Sequence, residues 1–151
     1  MKVHNPQTVA DPIGTYSHGI EVPPNARWLY IAGQIGRRKD GSVPPTAEEQ
    51  TEVAWQNIVA ILADAGMKVT DIVKMTQFLV NLDDFPKYAA TRAKFLAGHR
   101  PASTGLVIKS LVRPQWLVEV EAVAAKAAPA PQATKKPATK KRAGAKRKKH
   151  A

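Results

Sequence analysis

The chain contains no cysteine, which excludes a disulfide, a thiolate nucleophile and any Cys-ligated metal. It has four histidines, His4, His18, His99 and His150, with no H-x-x-x-H spacing among them, so no metal site is expected. Aromatic residues make up only 6% of the chain, and Trp28, Trp55 and Trp116 are scattered, an arrangement suited to packing rather than to stacking nucleobases. No segment approaches the roughly 18–20 consecutive apolar residues that a membrane helix needs. The start, Met1-Lys2-Val3-His4-Asn5-Pro6, also lacks the apolar stretch of a secretory signal, and a soluble, cytoplasmic protein is expected. Gly-x-Gly-x-x-Gly and phosphate-loop patterns are missing, so no cofactor is expected. Ser17 and His18 are merely adjacent and do not suggest a hydrolytic triad.

Charge is very unevenly placed along the chain. Residues 126–151 hold ten Lys or Arg and no Asp or Glu, whereas residues 1–125 hold 13 basic and 12 acidic side chains. The net charge of +11 therefore belongs almost entirely to the C-terminal segment. That segment is built from Ala, Pro, Lys, Arg and Thr, with a near-repeat of five residues from Ala133 to Arg142. It has nothing large and apolar to bury, so a disordered basic tail at 126–151 following a single domain at 1–125 is expected. Lys135, Lys136, Lys140, Lys141, Arg142, Lys146, Arg147, Lys148 and Lys149 are its candidate DNA or RNA contacts. With no aromatics beside them, such contacts would be to phosphate, independent of sequence and steeply salt-sensitive. The competing reading is a solubility or address segment.

The 44% hydrophobic content of the chain suffices for one core. Tyr16–Val22 and Trp28–Gln34 read as strands of a hairpin turned by Pro23-Pro24-Asn25. A helix follows, with Thr46 as cap, Glu49 completing a capping box, and Ala54, Ile58, Ile61, Leu62 and Ala65 as its apolar stripe. That stripe predicts Gln50, Asn57 and Asp64 on the wet side, with Gly66 as the stop. Ile72–Val80 reads as a strand, and Asp83 or Asp84 with Pro86 begins a second helix carrying Phe85, Tyr88, Ala89, Arg92 and Phe95 at helical spacing. Strands near 104–109 and 117–124 complete the order ββαβαββ. The predicted fold is α+β, a mixed sheet with two helices on one face.

Several strings along this frame occur in an order that resembles the Rid (YjgF/YER057c/UK114, RidA-like) family. They are Gly14-Thr15-Tyr16-Ser17-His18, Ala32-Gly33-Gln34-Ile35, Gln50-Thr51 with Asn57-Ile58, Asp71-Ile72-Val73-Lys74 with Phe78, and Asp84-Phe85 with Tyr88. Pro101-Ala102 and Val118-Glu119-Val120-Glu121-Ala122-Val123-Ala124 end the series, which covers roughly residues 10–125 and not the basic segment. The resemblance implies a chorismate-mutase-like fold, a homotrimer with small-molecule pockets between subunits, and hydrolysis of reactive 2-imino acids or enamines to keto compounds and ammonia. Some relatives are also described as ribonucleases or inhibitors of translation.

Imine hydrolysis needs a group to orient or deprotonate water, donors for developing charge and an anchor for the substrate. By resemblance, Glu119 is the base or water-positioning group, Tyr16 a pocket hydroxyl, and Gly33 a backbone partner of the substrate. Read on its own, Glu119 is an outward carboxylate of an alternating strand sharing a face with Glu121, and Gly33 marks a tight bend. In the deaminating members, Pro-Ala is followed by an arginine that grips the substrate carboxylate, and a cysteine follows two residues later. Here those positions hold Ser103 and Gly105. Loss of a charge-assisted hydrogen bond, about 1.5–3 kcal/mol, weakens 2-imino-acid binding by roughly ten- to a hundredfold. Ser103 and Thr104 remain as hydrogen-bonding candidates, and Arg100 lies three residues upstream of Ser103. An imine or enamine deaminase with altered substrate is therefore expected. The alternatives are a ligand-binding or regulatory protein without turnover, and a nucleic-acid-binding protein acting through its tail.

Overall fold

The computed structural model describes residues 1–127. In chain order it contains β1 (Lys2–His4), β2 (Gly19–Glu21), β3 (Ala26–Ile35), α1 (Ala47–Asp64), β4 (Ile72–Leu79), α2 (Phe85–Leu96), β5 (Ala102–Val107) and β6 (Val118–Ala127). From β2 onward this is the expected ββαβαββ, preceded by one short strand that the sequence does not advertise. The nine basic tail residues named above lie outside the described residues, while β6 continues two residues past the expected boundary at 125.

The main sheet has the order β3-β6-β4-β5, antiparallel except for the β4–β5 pair. The expected hairpin between the first two predicted strands is not formed. β2 instead pairs with β1, Val3 opposite Ile20, in a separate two-stranded ribbon, and β3 pairs along its length with β6, from Ala26 opposite Ala127 to Ile35 opposite Glu119. Pro23-Pro24-Asn25 does turn the chain, but a turn fixes register only when the flanking strands have more to gain from each other than from other partners. β6 offers β3 an apolar face that the three-residue β2 lacks.

Alternation along β6 sets that face. Val118, Val120, Ala122 and Ala124 are buried with Met75 and Leu79 of β4 beneath the helices, where Trp55, Ile58, Leu62, Tyr88 and Leu96 complete the core. Stacking of Trp55 on Phe95, with centroids 5.6 Å apart, joins the two helices. The opposite face of the sheet carries no element among the described residues, and Tyr30 there is 77% exposed.

Thr46 caps α1 by accepting the Glu49 N–H, but its hydroxyl donates to the Glu49 carboxylate at 2.8 Å, so the reciprocal arm of the predicted box is replaced by a side-chain pair. Gly66, at φ +65°, closes the helix as Met67 N–H bonds Leu62 C=O and Gly66 N–H bonds Ala63 C=O.

Gln50 overturns its predicted exposure. It is wholly buried, donating to the Pro44 and Gln115 carbonyls and accepting from the Leu117 N–H, each at 2.8 Å. Helical periodicity places it off the apolar stripe, but the loop before β6 folds over that side and needs partners for its backbone. Asn57 is half-buried, bonding the Arg37 carbonyl, while Asp64 is exposed as expected.

Gly36 explains how closely α1 sits. A Cβ there would stand 2.4 Å from the Gln50 Cα, which no L side chain tolerates. Gly36→Ala is expected to lower stability by about 1–3 kcal/mol through overpacking. Gln50→Leu is expected to cost about 2–4 kcal/mol by orphaning three backbone groups. Urea unfolding of each variant measures both losses.

Candidate functional site

The candidate residues fall into two groups on opposite faces of the sheet. Glu119 on β6 points to the open face, paired in register with Phe78 of β4 and Ile35 of β3. Its carboxylate lies where a side chain at position 33 would be: a Cβ built on Gly33 would stand 1.8 Å from Glu119 Oε1. The irregularity in β3 between Ile31 and Gln34 brings this backbone up against the carboxylate. Any side chain here would have to push the Glu119 carboxylate aside, and the glycine leaves bare peptide groups next to an acid. Glu121 shares the face, opposite Thr76.

The same face carries Lys74, whose ammonium donates to Thr104 Oγ1 at 2.6 Å. Burial lowers the Lys74 pKa, with the charge of Glu121 opposing the shift. Lys74, Glu121, Tyr30, Thr76 and Val123 line a hollow of about 420 Å³ across the outer sheet. A second cavity, about 650 Å³, reaches from Gly33 past Arg37, Arg38, Lys39, Asn57 and Arg113. This cationic rim escapes the sequence, because it draws on two segments some 75 residues apart that only the fold brings together.

Ser103 belongs to the other group. β5 pairs in parallel with β4, Ser103 beside Met75, so its side chain turns toward the helices while that of Thr104 turns away. The two residues, grouped by the sequence, therefore cannot act side by side. Ser103 Oγ accepts from Gln77 Nε2 at 2.8 Å, and the buried Tyr88 hydroxyl donates to Gln77 Oε1 at 2.6 Å. Burial pushes the Tyr88 phenol well above its ordinary pKa, against the nearby Arg92 charge. Gly105 lies against Gln77 and Phe85 on this same side.

Arg100 is not swung toward Ser103. Its guanidinium donates to the Gly14 carbonyl at 2.9 Å and the Tyr16 carbonyl at 3.3 Å. Ser17 answers by donating its hydroxyl to Arg100 C=O and its N–H to Pro101 C=O. These bonds lay the 14–17 segment beside the start of β5, where Ser17 bridges Ala102, and so fix the backbone that carries Tyr16. The Tyr16 ring meets His18 edge-on at 5.8 Å. One chain thus brings Tyr16, Arg100 and Ser103 to the β5 edge and leaves Glu119 and Gly33 on the open face.

Among the described residues no cluster of three or more His, Asp or Glu is arranged to hold a metal ion, and no helix is long and apolar enough to cross a membrane.

The sequence profile of the family described as Endoribonuclease L-PSP matches residues 7–126. A RutC family protein of Pyrococcus abyssi is 34% identical over 117 residues, 76% of this chain and 89% of that protein. A 2-iminobutanoate/2-iminopropanoate deaminase of Escherichia coli K12 is 33% identical over 118 residues, 76% of this chain and 89% of the relative. Among solved structures, YyfB of Yersinia pestis, described as of the conserved Rid protein family, superposes with a TM-score of 0.73 at 28% identity, covering 82% of this chain and 96% of YyfB. E. coli TdcF with bound serine gives 0.62 at 27% identity over 84% of this chain and all of TdcF.

If the tight fit at position 33 governs the carboxylate, Gly33→Ala should displace Glu119 while sparing the core. A crystal structure of the variant is expected to show the Glu119 side chain rotated away from β3; an unmoved carboxylate would contradict the fit.

Proposed function

Since this chain belongs to the endoribonuclease L-PSP family, the Rid family of its sequence motifs, we propose that it hydrolyses a reactive imine or enamine of a small metabolite to a carbonyl compound and ammonia. The pocket is completed where copies of the chain meet, in a homotrimer. The observation that carries this reading is the Glu119 carboxylate pressed against the bare backbone of Gly33. Water held by Glu119 adds to the C=N carbon as the carboxylate takes its proton and passes it to the imine nitrogen. In the resulting carbinolamine the hydroxyl proton moves by way of the same carboxylate to the nitrogen, so that the C–N bond breaks to release ammonia as the C=O bond forms. Peptide groups at Gly33 orient the substrate, and Tyr16 supplies a hydroxyl.

Two features favour a site shared between copies. The open face of the sheet, with Trp28 and Tyr30 exposed, has no cover from the described residues. Glu119 and Ser103 also lie back to back across one sheet, so a substrate touching both must lie between a residue of one copy and a residue of another. The names of the deaminase relatives support the reaction class.

A second role rests on the charge separation in the sequence. Nine Lys or Arg and no acid lie in residues 128–151, so this segment holds the protein on DNA or RNA through phosphate contacts.

Ammonia release from a panel of freshly generated 2-imino acids and neutral imines tests the first reading. Glu119→Ala is expected to lower turnover by about 10²–10⁴-fold, and absence of turnover in the wild type would leave a binding protein. Deleting residues 128–151 is expected to abolish retention on DNA or RNA at low salt, with the intact chain's affinity falling steeply as salt rises. Equal binding by the truncated protein would move the contact to the folded domain.

A further inference from the structure

Arg92, in the middle of α2, is only 7% exposed, yet no carboxylate pairs with it among the described residues. Its Nη2 donates to the Thr15 carbonyl at 2.9 Å and to Ser103 Oγ at 3.4 Å, and Nη1 donates to Thr15 Oγ1 at 3.3 Å. Its Nε is buried with no hydrogen-bond partner among the described residues. A guanidinium carries five N–H donors and stays charged, so a neutral carbonyl and two hydroxyls leave both its charge and part of its donor set unmatched. Fastening the 14–17 segment needs a donor, but it does not need a buried cation, whose desolvation is unfavourable without an anion.

The neighbouring hydroxyl is similarly incomplete. Ser103 Oγ accepts from Gln77 and from Arg92, while its own hydrogen has no acceptor among the described residues. Ser103 is half-buried on β5, which is the edge strand of the sheet, so a ligand arriving there meets a hydroxyl backed directly by a buried positive charge.

We propose that Arg92, with Ser103, binds the carboxylate of a small 2-oxo or 2-imino acid, supplying from α2 the cation that is missing from β5. Ser103 donates its hydroxyl, and the guanidinium directly behind it supplies the positive charge and, by giving up its long 3.4 Å contact with Ser103, an Nη2 N–H. Gln77, fixed by Tyr88, holds Ser103 in orientation from behind. This rests on the hydrolase reading for the class of substrate and restores carboxylate-bearing imines as its substrates, which loss of the usual arginine would disfavour. The anchoring itself does not depend on turnover.

The test uses the full chain and two probes of nearly equal shape, pyruvate and its neutral amide pyruvamide, titrated by NMR or calorimetry. Wild type is expected to bind pyruvate about ten- to a hundredfold more tightly. Arg92→Gln should bring the two affinities within about twofold, and adding Ser103→Arg to it should restore the preference. Should Arg92→Gln fail to fold, Arg92→Lys, which keeps the charge but loses the planar fork, is expected to weaken pyruvate by about tenfold and leave pyruvamide unchanged. A folded Arg92 variant that keeps the full preference overturns the proposal, as does a wild type that binds pyruvate no better than pyruvamide. Glu119→Ala separates the two readings: it should abolish ammonia release and keep the pyruvate preference. A wild type without turnover that retains an Arg92-dependent preference removes the hydrolase and keeps the anchor. Turnover whose carboxylate preference is indifferent to Arg92 does the reverse.

Discussion

Everything in this fold leans on β6. It is hydrogen-bonded on both edges, to β3 and to β4, and its period of two divides the molecule's tasks. Val118, Val120, Ala122 and Ala124 carry the core on which the helices rest. Glu119 and Glu121, between them, are thrust onto the face that no described helix covers. A slip of one residue in register would bury two carboxylates and expose the core, so the pairing that stabilises the domain also fixes where its acid stands.

Polar groups on the helix side form a chain of a different kind. Tyr88, Gln77, Ser103 and Arg92 run from beneath α2 to the edge of β5, each tied to the next by a hydrogen bond. Such a relay inside a poorly hydrated interior is rigid when satisfied and costly when broken, and here it ends in groups with unused hydrogens. Rigidity in the middle and an unfinished end are what a binding site built on a scaffold requires.

The elements with strong local signals were legible before the structure. Thr46, the apolar stripe of α1 and Gly66 announce that helix at both ends, and the β-branched run from Ile72 announces β4. What stayed hidden depended on distant chain. β1 is too short to signal itself, and the partner of β3 lies some ninety residues away in β6. Gln50 looked like a surface residue because its three partners belong to loops, which periodicity does not describe. The same held for function. Glu119, Tyr16 and Gly33 carried recognisable strings, but the separation of Ser103 from Thr104 follows from strand facing, and Arg92 looked like one more member of an amphipathic helix. That it has no acid beside it among the described residues is visible only in the fold.

Gly33 and Glu119 lie in different strands, 86 positions apart in sequence, yet they occupy one volume between them. Their histories are therefore bound together. A side chain at position 33 must turn the acid at 119 aside, and the acid can keep its present place only while 33 is bare. A change at either position is therefore felt at the other, although neither follows from the other's place in the sequence.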